Sequence, residues 1–397
     1  MRAFAPAFLL LALACGGPRA TPVAVLRPAP SASAAAPVAK ADAGVELGPF
    51  HEAPDLAFTF VKGAPTFKKV RATGSSGATV APDGRTHFVD LEDGKRSGGL
   101  LVSDAHPDGV FFATKEVHDV RFSSDGKHML VLDDEVAVVT MVSVPEGQIE
   151  AQGRGAYVAR FLGPSTVAYW NGCRVMHLEA GAAGPAPVGP ETCGGADASE
   201  DGKTWLVGSP SRAGVLLSMR GYRKVARVDG VSGAPTTILE AATEDDAVSE
   251  LRLSPRGDRL CYGGRGLKCL TVDAAGARPL PSPSGEPYTL VWDDAGEQQL
   301  SLQSNELVWA DFRTRTYRRL DLGKISIRYW RFFPSGRRIM VCDRGAWSCD
   351  LEHAVCTEVF PPKTEVGGFS AAPGTDHRFL MGNEVGAARE YYWVELP

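Results

Sequence analysis

The stretch Val120 to Leu132, VRFSSDGKHMLVL, holds a short apolar run, a Ser-Ser-Asp-Gly turn and a second apolar run. Asp125 can hydrogen-bond the backbone ahead of it, and Gly126 accepts a positive φ at little steric cost, so the segment reads as one β-hairpin. The chain repeats it. GATVAPDGRTHFV turns at Gly84, ADASEDGKTWLV at Gly202, LRLSPRGDRLCY at Gly257, LVWDDAGEQQLSL at Gly296, WRFFPSGRRIMV at Gly336 and GFSAAPGTDHRFLM at Gly374. ARFLGPSTVAYW, around Gly163, keeps the apolar flanks without the Asp-Gly. Successive glycines lie 42, 37, 39, 55, 39, 40 and 38 residues apart.

A period of about 40–45 residues with short strands is that of a β-propeller blade of four strands. No stretch carries the 3.6-residue apolar spacing that a helical repeat would need. After each anchor the pattern alternates instead, as in Arg338-Ile339-Met340-Val341-Cys342. A β-sandwich with coincidental turns is the competing fold, and eight anchors in near-constant register weigh against it. After Gly374 the chain offers two strands, His377–Met381 and Glu390–Leu396, and the last blade lacks its outer one. Thr66-Phe67-Lys68-Lys69-Val70 resembles the fourth strands elsewhere, such as Tyr317-Arg318-Arg319-Leu320. Borrowing it would close the ring and remove two sheet edges. Eight anchors and a borrowed strand favour eight blades, with seven as the alternative. The 55-residue step carries an insertion, placed within Ser211–Arg223.

The cores Phe122–Lys127 (F-S-S-D-G-K), Leu253–Gly257 (L-S-P-R-G), Ala81–Gly84 (A-P-D-G) and Ser199–Lys203 (S-E-D-G-K) resemble the bacterial TolB-type propeller repeats, which are loosely akin to WD repeats. The resemblance covers most of the chain from about Thr66 onward, and it implies a fold and a scaffold role rather than a substrate.

Residues 1–15, MRAFAPAFLLLALAC, read as an export signal: Arg2, an apolar core from Ala3 to Leu13, then small residues. Ala12-Leu13-Ala14 fits an ordinary cleavage site, whereas Leu11-Ala12-Leu13-Ala14-Cys15 resembles a lipoprotein box with Cys15 as the lipidated residue. Ala12 departs from the Leu usual there; lipidation is the favoured reading. Gly16 in place of Asp then implies outer-membrane sorting in a two-membraned source. Residues 16–48 are an Ala/Pro/Ser-rich linker, too poor in large apolar residues to bury a core. Residues 55–397 form the propeller domain. The 42 basic and 47 acidic residues, net −5, argue against a nucleic-acid partner. No other apolar run approaches membrane-spanning length, which leaves the anchor as the membrane contact.

Chemistry-bearing motifs are sparse. Apart from Cys15 there are seven Cys, an odd number in an exported chain. Cys261 and Cys269 flank a Gly-rich turn. Cys173 aligns with Cys349 and Cys193 with Cys356, which suggests bridges 173–193, 261–269 and 349–356 with Cys342 free. The competing pairing is 342–349, leaving Cys356 free. No C-x-x-C pair, no His at ligand spacing from a Cys and no H-E-x-x-H occurs, so no metal site and no cofactor is expected. Neither a G-x-S-x-G elbow nor a Walker loop is present. The acidic clusters Asp133-Asp134-Glu135, Glu244-Asp245-Asp246 and Asp293-Asp294 lack a calcium-loop register and read as solvated turns. Ser199 to Trp205 imitates a sialidase-type Asp-box, one residue short, and coincides with its own anchor turn.

A periodic arginine remains. Arg121, Arg252 and Arg331 stand five residues before the turn Gly, and Arg160 takes the matching place in A-R-F; the other blades have Thr79, Asp197, Val291 and Phe369 there. These positions fall mid-way along first strands, the innermost of a propeller. The four Arg are expected to approach the central channel and make part of its wall electropositive, suiting a small anion or an acidic side chain of a partner. The competing expectation is that each pairs with a carboxylate of an adjacent blade, Asp197 being one candidate. The functional expectation is a non-catalytic, exported, lipid-anchored scaffold binding a protein, peptide or envelope component. A hydrolase or lyase with a channel-mouth site is the alternative, because propeller sites gather from distant blades.

Overall fold

The computed structural model describes residues 49–73, 78–92, 97–210, 222–241, 248–263, 267–281, 289–303, 306–323, 325–385 and 388–397. They form an eight-bladed β-propeller of antiparallel four-stranded blades, whose strands follow chain order from the inside out in every blade but the last. The anchor turns join the first strand to the second, as in Val117–Phe122 paired with His128–Asp133 (Leu130 opposite Arg121). In that turn Ser123 Oγ accepts from the His128 amide at 2.9 Å and donates to Asp125 at 2.7 Å. Blades four and five repeat the device with Ser199 and Ser254. Blade six substitutes a carboxylate: Asp293 Oδ1 accepts from the Glu297 and Gln298 amides, both at 2.8 Å.

The turn glycines also set how blades meet. Gly257 has φ +74°, and a Cβ there would come within 2.7 Å of Thr204 in the preceding blade. Gly336 has φ +71°, and its Cβ would come within 2.9 Å of Asp293. A side chain at either position meets both left-handed strain and a clash with the neighbouring turn. At these two positions the repeat read in the sequence brings one turn against the preceding blade.

The core lies between blades. Ile339 and Val341 face blade six with Leu300, Leu307 and Leu320, whereas Met340 and Cys342 face blade eight with Phe369, Phe379 and Met381. The expected alternation is therefore corrected for this strand: Ile339 to Cys342 is buried on both faces, because a second strand is sandwiched between two neighbours. Comparable clusters join blades two and three through Leu130, Met141, Val167 and Tyr169, and blades eight and one through Leu380, Tyr391, Val80 and Val89.

The ring closes with a strand from the other end of the chain. Thr66–Thr73 pairs antiparallel with Ala388–Glu395, Phe67 opposite Val394, and so completes blade eight. Ahead of it, three short strands strap the outer edges of two blades in parallel. His51–Glu52 and Leu56–Ala57 add to Thr316–Asp321 of blade six, and Thr59–Val61 adds to Val355–Phe360 of blade seven. Of residues 49–54, left between linker and propeller in the sequence, His51–Glu52 belong to this sheet structure. The placement of the blade-four insertion falls largely on 211–221, outside the described residues; the flanking strands Thr204–Pro210 and Tyr222–Asp229 pair up to Pro210 opposite Tyr222. Cys15, the signal and the linker also lie outside the described residues.

Candidate binding site at the channel mouth

Asp119 and Arg121 are two residues apart on a strand, and the two-residue period of a strand puts both side chains on one side. Arg121 Nε donates to Asp119 Oδ2 at 2.8 Å. Arg160, from the first strand of blade three, donates to the same oxygen at 3.2 Å and to its neighbour Ala159 O at 2.7 Å. Arg121 also pairs with Glu200, which stands on the anchor turn of blade four and so reaches past blade three. Burial disfavours the Asp119 charge, yet the Arg121 and Arg160 guanidiniums outweigh it and hold the carboxyl below its ordinary range. Burial likewise works against charge on Arg121, but Asp119 and Glu200 hold its proton more firmly than usual. Arg160 is lowered, by burial first and by Arg121 second.

Asp197 does a different job. Its Oδ2 accepts from the Leu253 amide of blade five at 3.1 Å and its Oδ1 from the Ala198 amide at 2.9 Å. Thr79, at the equivalent place in blade one, donates to Val120 O of blade two at 3.3 Å. The position five before the turn glycine is therefore used in several blades to stitch one blade to the next.

Arg121, Arg160, Arg252 and Arg331 all line one cavity of about 430 Å³ at the channel mouth. Asp197, Glu200 and Asp294 line it too, with Trp292, Phe332 and Phe369 among its apolar residues. Arg121 and Arg160 are half-buried in their carboxylate network, whereas Arg252 and Arg331 are exposed. The four arginines, expected to make part of the wall electropositive, share the cavity with carboxylates, so its lining carries both signs. The competing expectation is right in kind for Arg160, although its partner is Asp119 of blade two and not Asp197.

The site residues that the sequence did not single out are Asp119, Glu200 and Asp294. Asp119 carried a usable signal, its two-residue spacing from Arg121. Glu200 did not, because its partner lies 79 residues away and two blades back. The acidic pair Asp293-Asp294 divides its labour: Asp293 is buried and caps the turn, while Asp294 faces the channel mouth. In the cluster at 133–135, Asp133 is buried and accepts from the Lys115 amide at 2.7 Å, and Glu135 pairs with Lys115 at 3.1 Å. The cluster at 244–246 lies outside the described residues. Ser199 to Trp205 is an anchor turn, with Trp205 buried and its Nε1 donating to Gly202 O at 2.7 Å.

The structure bridges Cys173 to Cys193, Cys261 to Cys269 and Cys349 to Cys356, and Cys342 is a buried free thiol. The last two bridges join residues directly opposite on adjacent strands. The first differs from the alignment that suggested it. Cys173 lies in a turn, and Cys193 in the loop leading to the next blade, held there by Thr192 N to Cys173 O at 2.8 Å. Among the described residues no three His, Cys, Asp or Glu side chains group as metal ligands.

No family model and no curated protein sequence matches the chain. Among solved structures it is similar to the C-terminal WD40 domain of Sif2, at TM-score 0.56 and 10% identity over 85% of this chain and 100% of that one. It is also similar to the Cps50 (Swd1) β-propeller domain of Myceliophteria thermophila, at TM-score 0.48 and 12% identity over 83% and 99%. The first likeness shows the fold.

Proposed function

We propose that the chain is an exported, lipid-anchored propeller scaffold that receives a protein or peptide of the cell envelope at its channel mouth. The observation that carries this reading is the cavity itself. First strands and turns from blades two to eight converge on it with charges of both signs beside an apolar wall, which is the make-up of a recognition pocket. Among the described residues its lining contains no His, Cys or Lys. The signal-like residues 1–15 and the three bridges suit an oxidising compartment. Cys15→Ser should release the protein from the membrane fraction and abolish fatty-acid labelling; labelling that persists in the variant contradicts the anchor. A photo-cross-linker at Pro334, on the cavity rim, should yield one discrete adduct in cells, and one at the exposed Ile149 of blade two should not.

A hydrolase or lyase is the second reading, supported by Glu200 and Asp294 facing one cavity. Turnover on an esterase, glycosidase or peptidase panel, lost in Asp294→Asn, would favour it over the scaffold.

A further inference from the structure

The cavity has two unlike halves. On the side of blades two to four, Asp119, Arg121, Arg160 and Glu200 neutralise one another. On the opposite side, Arg331 of blade seven is exposed to the cavity and enters no ion pair among the described residues; its guanidinium lies 5.8 Å from the centre of the Tyr329 ring. Asp294, from the anchor turn of blade six, faces the same space, and no donor among the described residues reaches its carboxyl. It is exposed to solvent where it lines the cavity. Burial pushes its carboxyl up, the Glu200 and Asp293 charges push the same way, and Arg331 pulls back only in part.

The remaining charges around this half are engaged. Asp293 accepts two turn amides, Asp197 accepts the Leu253 and Ala198 amides, and Glu200 is paired with Arg121. Arg252, on the first strand of blade five, donates through Nη1 to the adjacent Leu251 O of its own strand at 3.1 Å. What stays open is one guanidinium and one carboxyl lining the same cavity with Trp292 and Phe332.

We propose that Arg331 and Asp294 form a seat for one ligand carboxylate, which is taken up together with one proton. The inference rests on the channel mouth being the recognition site and adds the chemistry it recognises. A carboxylate arriving beside an ionised Asp294 would set two negative charges against the single Arg331. One proton shared between the two carboxyls leaves one negative charge, which the guanidinium matches as a bidentate fork. The ligand class is thus an acidic peptide side chain or a free carboxylate, and it binds more tightly as pH falls.

The test is calorimetric titration of the full chain with acetyl-Ala-Asp-Ala-amide, whose carboxylate stays ionised between about pH 5.5 and about pH 8. The wild type should bind about tenfold or more tightly at the lower pH, the scale of one charged hydrogen bond. Asp294→Asn should bind with the same affinity at both pH values, and Arg331→Gln should lose about tenfold at the lower one. Formate as competitor separates the sources: displacement at equal concentration points to a free carboxylate, and none points to a peptide side chain. Equal wild-type affinity at both pH values, or an Arg331→Gln that binds as the wild type does, overturns the proposal. A melt on each variant shows that it is folded, and Asp294→Asn keeps the test decisive if Arg331→Gln is not. Loss of this chemistry would leave the rim adduct at Pro334 untouched, so the two ideas fail separately.

Discussion

Arg160 reaches across a blade boundary to Asp119, its Nη1 3.2 Å from an Oδ2 that Arg121 also holds at 2.8 Å. One carboxylate thus compensates two guanidiniums, with Arg160 the more buried of the pair. Asp119→Ala leaves both without it, and stability should fall by about 3 kcal/mol, the lower end for a broken buried pair because Asp119 keeps some solvent contact. Chemical denaturation of wild type and variant checks this; an unchanged midpoint contradicts it.

Asp119 and Asp294 should respond to pH with opposite signs. Asp119 is held below its ordinary range, so its contribution is present above the unfolded value of about 3.9 and is lost as pH falls through the lower folded value. Asp294 is held above its ordinary range, so it costs stability at neutral pH, and the cost is relieved as pH falls through its raised value. Thermal melts should therefore show Asp119→Asn below the wild type at pH 7 and Asp294→Asn at or above it. Both differences should shrink in acid. The same sign for both variants at pH 7 contradicts this.

The sequence revealed the fold because its strongest local signal is also its packing element. At Gly257 and Gly336 the anchor glycine is both the hairpin turn and a surface packed against the preceding blade, at Thr204 and Asp293. The strap at 49–61 was illegible for the opposite reason. Its strands are two or three residues long, and they bind through backbone to edges whose positions depend on the closed ring. The site was half legible. The Arg positions follow from the repeat, whereas Glu200 and Asp294 reach the cavity from turns, where no two-residue period says which way a side chain points.

Closure depends on Thr66–Thr73, and the strap only covers edges. Removal of the chain through Gly48 should leave the melt unchanged, and removal through Pro65 should lower it while keeping one cooperative transition. Removal through Thr73 should abolish the transition, since blade eight then exposes an unpaired edge. Circular dichroism melts of the three truncations check the order.

Cys342 is enclosed by Met340, Phe369 and Met381, and burial pushes its thiol up to about 12. It should resist iodoacetamide in the native protein and react once the chain is denatured without reductant. The six bridged cysteines should become reactive only after reduction. Peptide mapping of the labelled sites reads the result, and native labelling at Cys342 contradicts its burial.

The proposed function turns on a partner being received at the channel mouth. The most direct measurement is the affinity of the purified cross-linked partner for wild type and for three folded variants. Pro334→Trp and Pro255→Trp fill the cavity rim, and Ile149→Trp adds bulk on the outside of blade two. Both rim variants should lose about tenfold or more, near 1.4 kcal/mol, while Ile149→Trp should bind as the wild type does. Full affinity in the two rim variants would place the partner elsewhere and contradict the claim.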